Sequence, residues 1–166
     1  MCGAAVRGRI DAAWVVLDGV LDPEVPALSV RDLGLVREVS LADDDGLDVV
    51  LTPTYSGCPA TEVICADVRN ALDAAGLGPA RVSLRRAPAW SSDWISSEGR
   101  RKLREYGIAP PGPAGEGTVH FIARGVACTR CGSPQTERLS AFGATACKSI
   151  YRCLACREPF EHFKAL

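Results

Sequence analysis

Histidine is nearly absent from this 166-residue chain, which has only His120 and His162. It has no pair of Glu-x-x-His motifs, so a di-iron oxygenase centre is excluded, and no glycine-rich dinucleotide loop. Aromatic residues are few, at 6 %, which disfavours a base-stacking platform. Charge of one sign is also lacking: the net charge is -1, so nucleic acid is not the expected partner. No apolar run approaches a membrane-spanning length, and the first residues lack a charged stretch followed by a long apolar one. Neither a membrane span nor a signal peptide is expected. No internal repeat is visible.

Cysteine is abundant, with eight residues. Without an export signal, and with ligand-like spacing, reduced cytosolic thiols are expected rather than a secreted disulfide scaffold. Four of them form two Cys-x-x-Cys pairs, Cys128/Cys131 and Cys153/Cys156, separated by 21 residues. Each pair can present two thiolates to one ion, and a hairpin between the pairs folds one onto the other. The favoured occupant is one structural zinc per chain; a rubredoxin-like iron, an iron–sulfur cluster and disulfides are the alternatives. The segment 128–166 has few large apolar side chains, and a metal contributes on the order of 10 kcal/mol of folding free energy to such a module. Gly132 after the first pair suits the tight turn, whereas Arg157 occupies the equivalent place after the second. Strands are expected at Gln135–Ala141, Ala146–Arg152 and Pro159–Lys164, with a turn at Phe142-Gly143. A closed four-cysteine site of this kind is structural, and His120 and His162 are left out of it.

The remainder has room for one domain of about 110 residues. Ile10, Ala13, Trp14, Leu17 and Leu21 mark an amphipathic helix over Arg7–Leu21, stopped by Asp22-Pro23. Leu33, Leu35, Val39 and Leu41 alternate as a strand. After a turn at 43–46, Leu47, Val49 and Leu51 alternate again, completing a hairpin. Pro59–Ala75 reads as a helix with Ala60, Ile64, Val68, Ala71, Leu72 and Ala75 on one face. Arg81–Ala87 reads as a strand with Val82 and Leu84 inward, parallel to its predecessor. A two-layer α/β (α+β) mixed sheet results, followed by a small zinc-ribbon β module. Ser96–Tyr106 is a short basic helix ended by Gly107; its charges read as a solvated face or a docking site. The expected divisions are a domain at 1–108, a Pro/Gly-rich linker at 109–117 and the ribbon at 118–166.

In Thr52…Gly57-Cys58-Pro59, Pro59 suits the first helical position, which puts Cys58 at the N-cap. Amides and the helix dipole there favour a thiolate, and Gly57 leaves room around the sulfur. A reactive thiol and an ordinary capping cysteine are equally compatible with this stretch. Cys65 lies too far along the helix to pair with Cys58 and reads as core. Cys147 reads as packing or as an additional functional thiol, and Cys2 as frayed.

Asp22-Pro23-Glu24-Val25-Pro26 through Asp32-Leu33-Gly34-Leu35-Val36, with Thr52…Gly57-Cys58-Pro59, resembles the MIP18 (DUF59) family, associated with iron–sulfur cluster assembly and delivery. Trp94-Ile95-Ser96, Glu98 to Leu103, Gly107 to Pro111 and Cys128 through Cys147 to Phe160 are similar to the D-subunit family of phenylacetyl-CoA 1,2-epoxidase. The resemblance implies a small α/β fold, Cys58 as the motif cysteine and Asp22 and Glu24 as its acidic loop, with Thr52, Gly57 and Pro59 as supporting residues. It implies a non-catalytic, cytoplasmic maturation factor that carries iron or a cluster transiently. The implied partners are the oxygenase and reductase components of that epoxidase system in aerobic phenylacetate degradation. Cys58 would act alone, across a homodimer or with a partner's thiol. A cysteine-dependent redox or thiol enzyme, and a ribbon that docks proteins, are the competing readings. Residues 128–166 carry six Lys/Arg against three acidic residues.

Overall fold

The computed structural model describes residues 2–113 and 126–166, with side chains from Val6 onward. His120, part of the expected linker and the first residues of the expected ribbon module lie outside the described residues. The chain forms two compact units, Met1–Trp90 and Ser91–Leu166.

In the first unit, α1 (Cys2–Leu17) buries Ala13 and Leu17, two members of the expected stripe. The helix ends one turn before the expected Leu21, which is 49 % exposed and instead bridges Ser29 in antiparallel fashion. The early stop has a local cause. Val20 is turned inward, its carbonyl accepting from the Val30 amide, and the buried carboxylate of Asp22 caps the next loop through the amides of Glu24 and Val25 at 2.9 and 2.8 Å. Ser29 and Asp32 then cap each other, Ser29 Oγ accepting from the Asp32 amide and Asp32 Oδ2 from the Ser29 amide. These self-bonded turns consume Leu33, so β1 spans Val36–Leu41 rather than starting at Leu33. Leu33 and Leu35 remain core residues from outside the strand.

The strand β2 (Leu47–Leu51) buries alternate residues as the pattern predicts, and pairs antiparallel with β1 across the turn at 43–46. Gly46 is required in that turn, because an added Cβ would lie 2.7 Å from the Pro79 carbonyl oxygen. Next come α2 (Thr61–Ala74), burying Ile64, Val68 and Leu72, and β3 (Ala80–Leu84). The pair β2–β3 is parallel with α2 as the crossover, in sheet order β1-β2-β3. Among the described residues β3 has a neighbouring strand on one side only, and the expected inward Leu84 is 42 % exposed at its far end. The indole Nε1 of Trp90 donates to the Leu33 carbonyl at 2.9 Å, tying the end of the unit to its buried turn.

The second unit starts with a 3₁₀ turn (Ser92–Trp94) and α3 (Ser97–Glu105), whose N-cap Ser96 accepts from the Gly99 amide. Two of its basic residues are engaged within the unit. Arg100 donates to the carbonyls of Pro111 and Ser92, and Arg101 pairs with Glu98 and Glu105. A short strand, β4 (Ile108–Ala109), follows where the linker was expected to begin. It lies parallel to β7 (Pro159–Phe163), which is antiparallel to β6 (Lys148–Cys153), which is antiparallel to β5 (Thr136–Ser140). Through the pairing of β4 with β7, Ile108–Ala109 share a sheet with the ribbon strands within the unit Ser91–Leu166. A two-residue strand leaves no periodicity, which is why β4 was not legible.

Leu72 is fully buried on α2. Leu72→Ala is expected to lower the stability of the first unit by about 2–5 kcal/mol, measured by chemical denaturation.

Candidate metal centre and lone thiol

The four cysteines of the two pairs converge. Their sulfurs all lie within 4.8 Å of one another, with cross-pair separations of 3.7 Å (Cys128–Cys156) and 3.6 Å (Cys131–Cys153). Four sulfurs at about 2.3 Å from one ion stand about 3.8 Å apart at tetrahedral angles, so the spacing fits a single tetrahedral ion. An all-thiolate set suits zinc or an iron–sulfur type of iron and not a hard cation. The four residues thus form a site that could hold a metal ion.

Each pair sits on a tight turn. The Gly132 amide donates to the Cys128 carbonyl at 2.9 Å, the Cys128 amide to Ser133, and the Cys153 amide to Glu158 at 3.0 Å. Both turns close through a left-handed residue, Gly132 at φ 73° and Arg157 at φ 67°. Arg157, in the place equivalent to Gly132, therefore adopts a backbone conformation that an L side chain disfavours. The turns are joined by Arg130–Glu158 at 2.6 Å, and Thr129 Oγ1 donates to the Gly107 carbonyl at 3.3 Å. The Cys156 amide donates to Cys153 Sγ at 3.4 Å, which holds that thiol down, to about 6. Inside, Cys128 and Cys153 pack with Ala109 and Phe160, against which Val126 and Tyr151 lie.

The remaining candidates are placed differently. His162 is not one of the clustered ligands; its ring Nδ1 lies 3.2 Å from Ser149 Oγ, and the ring stands edge-on to Tyr151. Burial pushes its pKa down to about 4. Cys147 is buried, with Sγ 3.1 Å from Thr145 Oγ1, and does not join the quartet. Cys65 is half-buried on α2 and burial pushes its thiol up.

Cys58 is half-buried, neither sealed in the core nor fully open. It is not the N-cap: the α-helix starts at Thr61 and its N-cap is Ala60, which has no side chain to cap with. The reason is a tight turn over Cys58–Thr61, in which the Cys58 carbonyl accepts from the Thr61 amide at 3.2 Å before α-helical bonding begins at Ala60. The macrodipole argument weakens accordingly, since its influence fades within the first turn. Of the supporting residues, Gly57 and Pro59 are exposed, Glu24 is half-buried and Asp22 caps its own loop. Thr52 is 1 % exposed at the end of β2, and its Oγ1 is buried with no hydrogen-bond partner among the described residues. A hydroxyl in that state costs about 1–3 kcal/mol. The Arg130–Glu158 pair, the Thr129–Gly107 bond and the β4 contact were not readable from the sequence, because each joins segments far apart in the chain.

The fold and its sulfurs define a two-module class: a mixed α/β domain followed by a four-cysteine β ribbon. Residues 10–84 match the family described as iron-sulfur cluster assembly protein, and residues 113–164 match the PaaD zinc beta ribbon domain. A relative from Escherichia coli (strain K12), provisionally named as the D subunit of 1,2-phenylacetyl-CoA epoxidase, is 44 % identical over 158 residues, covering 95 % of this chain and 94 % of that protein. An Fe-S protein maturation auxiliary factor from Porphyromonas gingivalis is 35 % identical over 89 residues, 53 % of this chain and 84 % of the relative. In fold, the chain is similar to a DUF59 domain from Bacillus anthracis, with TM-score 0.56 and 24 % identity, over 60 % of this chain and 95 % of that one. The chain belongs to the MIP18/DUF59 iron–sulfur cluster assembly family, in the branch with a C-terminal PaaD zinc ribbon that includes the Escherichia coli relative. Among the described residues, no helix is long and apolar enough to cross a membrane.

Two outcomes follow from this geometry. Arg157→Gly relieves the left-handed strain and is expected to stabilise the ribbon by about 1 kcal/mol, read as a rise in its thermal midpoint. His162 stays neutral in the fold but protonates once unfolded, so the unfolded chain binds more protons between its ordinary value of 6.5 and about 4. The contribution of His162 to the ribbon's stability is therefore full above pH 6.5 and declines as pH falls toward 4. His162→Gln is expected to flatten that part of the profile in pH-dependent denaturation.

Proposed function

We propose that this protein is a non-catalytic, cytoplasmic accessory factor that helps assemble or deliver an iron–sulfur cluster to the oxygenase and reductase components of a phenylacetyl-CoA epoxidase system. The observation that carries this reading is the division of its sulfurs into two settings. The quartet is compact, tetrahedrally spaced and buried on one side, and it holds one structural zinc through Cys128, Cys131, Cys153 and Cys156. Zinc supplies a fixed, redox-inert charge that keeps the two turns together. Cys58 stands in the other unit, half-exposed, on the loop that joins β2 to α2. One thiolate binds iron or a cluster weakly, which suits a donor that must release its cargo. The name of the Escherichia coli relative supports the choice of recipient, and the maturation factors support the accessory role.

The roles of the surrounding residues follow from their contacts. The Cys58 amide and carbonyl are both spent on turn bonds, to Tyr55 and Thr61, so the backbone is held while the side chain remains available. The loop around Asp22 is pre-formed by that carboxylate, leaving Glu24 as the motif's half-buried acid.

The test combines metal analysis with anaerobic reconstitution. Protein purified without oxygen is expected to carry one zinc per chain and no colour. After incubation with iron and sulfide, Cys58→Ser is expected to lose cluster uptake and transfer to the oxygenase reductase at least about tenfold while keeping its zinc. Equal uptake and transfer by wild type and variant would overturn the role of Cys58; iron in the quartet would overturn the assignment of zinc.

A further inference from the structure

The quartet is one-sided. The first cysteine of each pair is buried, Cys128 at 3 % and Cys153 at 0 %, behind Ala109, Phe160, Val126 and Tyr151, whereas the second of each pair, Cys131 and Cys156, is exposed. Sulfur reactivity follows solvent access as well as thiolate character, so in a site whose four sulfurs are equally ionised by one ion, access decides the order of attack. The cross-pair geometry adds a second constraint. Each exposed sulfur faces a buried one of the opposite turn, Cys131 toward Cys153 at 3.6 Å and Cys156 toward Cys128 at 3.7 Å.

We propose that Cys131 and Cys156 are modification sites for peroxide, and that their oxidation exchanges the bound ion for two cross-turn disulfides, Cys131–Cys153 and Cys128–Cys156. This rests on the zinc reading above. In the first step the exposed thiolate attacks one oxygen of hydrogen peroxide. The O–O bond breaks, hydroxide leaves, and the sulfur, oxidised by two electrons, becomes a sulfenic acid. In the second step the facing buried thiolate attacks the sulfenic sulfur. The S–S bond forms and a second hydroxide leaves. Each disulfide thus consumes two thiolates and one peroxide, and the ion departs as its ligands are used up. Because both bonds run between the turns, the oxidised ribbon stays clamped at the place the metal held. Bonds within each Cys-x-x-Cys pair would instead leave the turns untied.

The experiment titrates the full-length zinc-loaded chain with hydrogen peroxide from below one equivalent up to the two that both disulfides consume. Zinc release is followed with a chromophoric chelator, sulfenic acid is trapped with dimedone, and disulfides are mapped by mass spectrometry. Trapping at Cys131 and Cys156 is expected to outpace that at Cys128 and Cys153 by about tenfold. Zinc release should be proportional to peroxide, and the mapped bonds should be Cys131–Cys153 and Cys128–Cys156. Cys58→Ser is expected to release zinc at an unchanged rate, which separates direct attack on the quartet from relay through the lone thiol. Equal trapping at the buried pair, bonds confined to each Cys-x-x-Cys, slowed release in Cys58→Ser, or peroxide consumed with zinc retained would each overturn the proposal. A chain isolated without zinc would overturn the metal reading instead, and trapping on that chain still decides which sulfurs react first.

Discussion

Four sulfurs held within 4.8 Å of one another are the constraint on which the second unit depends. As thiolates they repel, and as thiols they make only weak contacts; a cation shared among them would turn that repulsion into attraction. The surrounding bonds serve that gathering. Backbone amides shape both turns, Arg130 and Glu158 join them, and Ala109 and Phe160 close the inner side. The strand β4 and helix α3 belong to this unit because the ribbon's own three strands offer too little apolar surface by themselves.

The first unit is held differently, by ordinary burial. Leu17, Leu28, Leu33, Val49, Val68 and Leu72 are almost wholly removed from water, and capped turns at Asp22 and Ser29–Asp32 satisfy the backbone between α1 and β1. That rigid frame sets the β2–α2 loop, where Cys58 lies between a buried threonine and the start of the helix. Beside that loop the Thr52 hydroxyl is buried without a hydrogen-bond partner among the described residues.

Repeating patterns were the legible part of the sequence. Alternation at Leu47, Val49 and Leu51 marked β2, and the helical spacing of Ile64, Val68 and Leu72 marked the buried face of α2. The Cys-x-x-Cys spacing marked the quartet, whereas the left-handed backbone of Arg157 emerged only in the structure. Periodicity misled where side chains bond to nearby backbone. Leu33 fits a strand pattern but falls in a turn capped by Asp32, and Leu21 fits a helix stripe but follows a helix already ended. The N-cap position of Cys58 failed for a related reason, a tight turn preceding the regular helix.

Local chemistry, then, was determined by sequence alone: which segments alternate, which spiral, and which sulfurs are spaced to share an ion. Such properties depend on residues a few positions apart, where chain geometry leaves few options. Tertiary structure alone decided which sulfur of each pair faces water, where the compact units divide, and that Ile108-Ala109 becomes a strand beside Pro159–Phe163. These outcomes depend on contacts between residues tens of positions apart, and no short-range pattern encodes them.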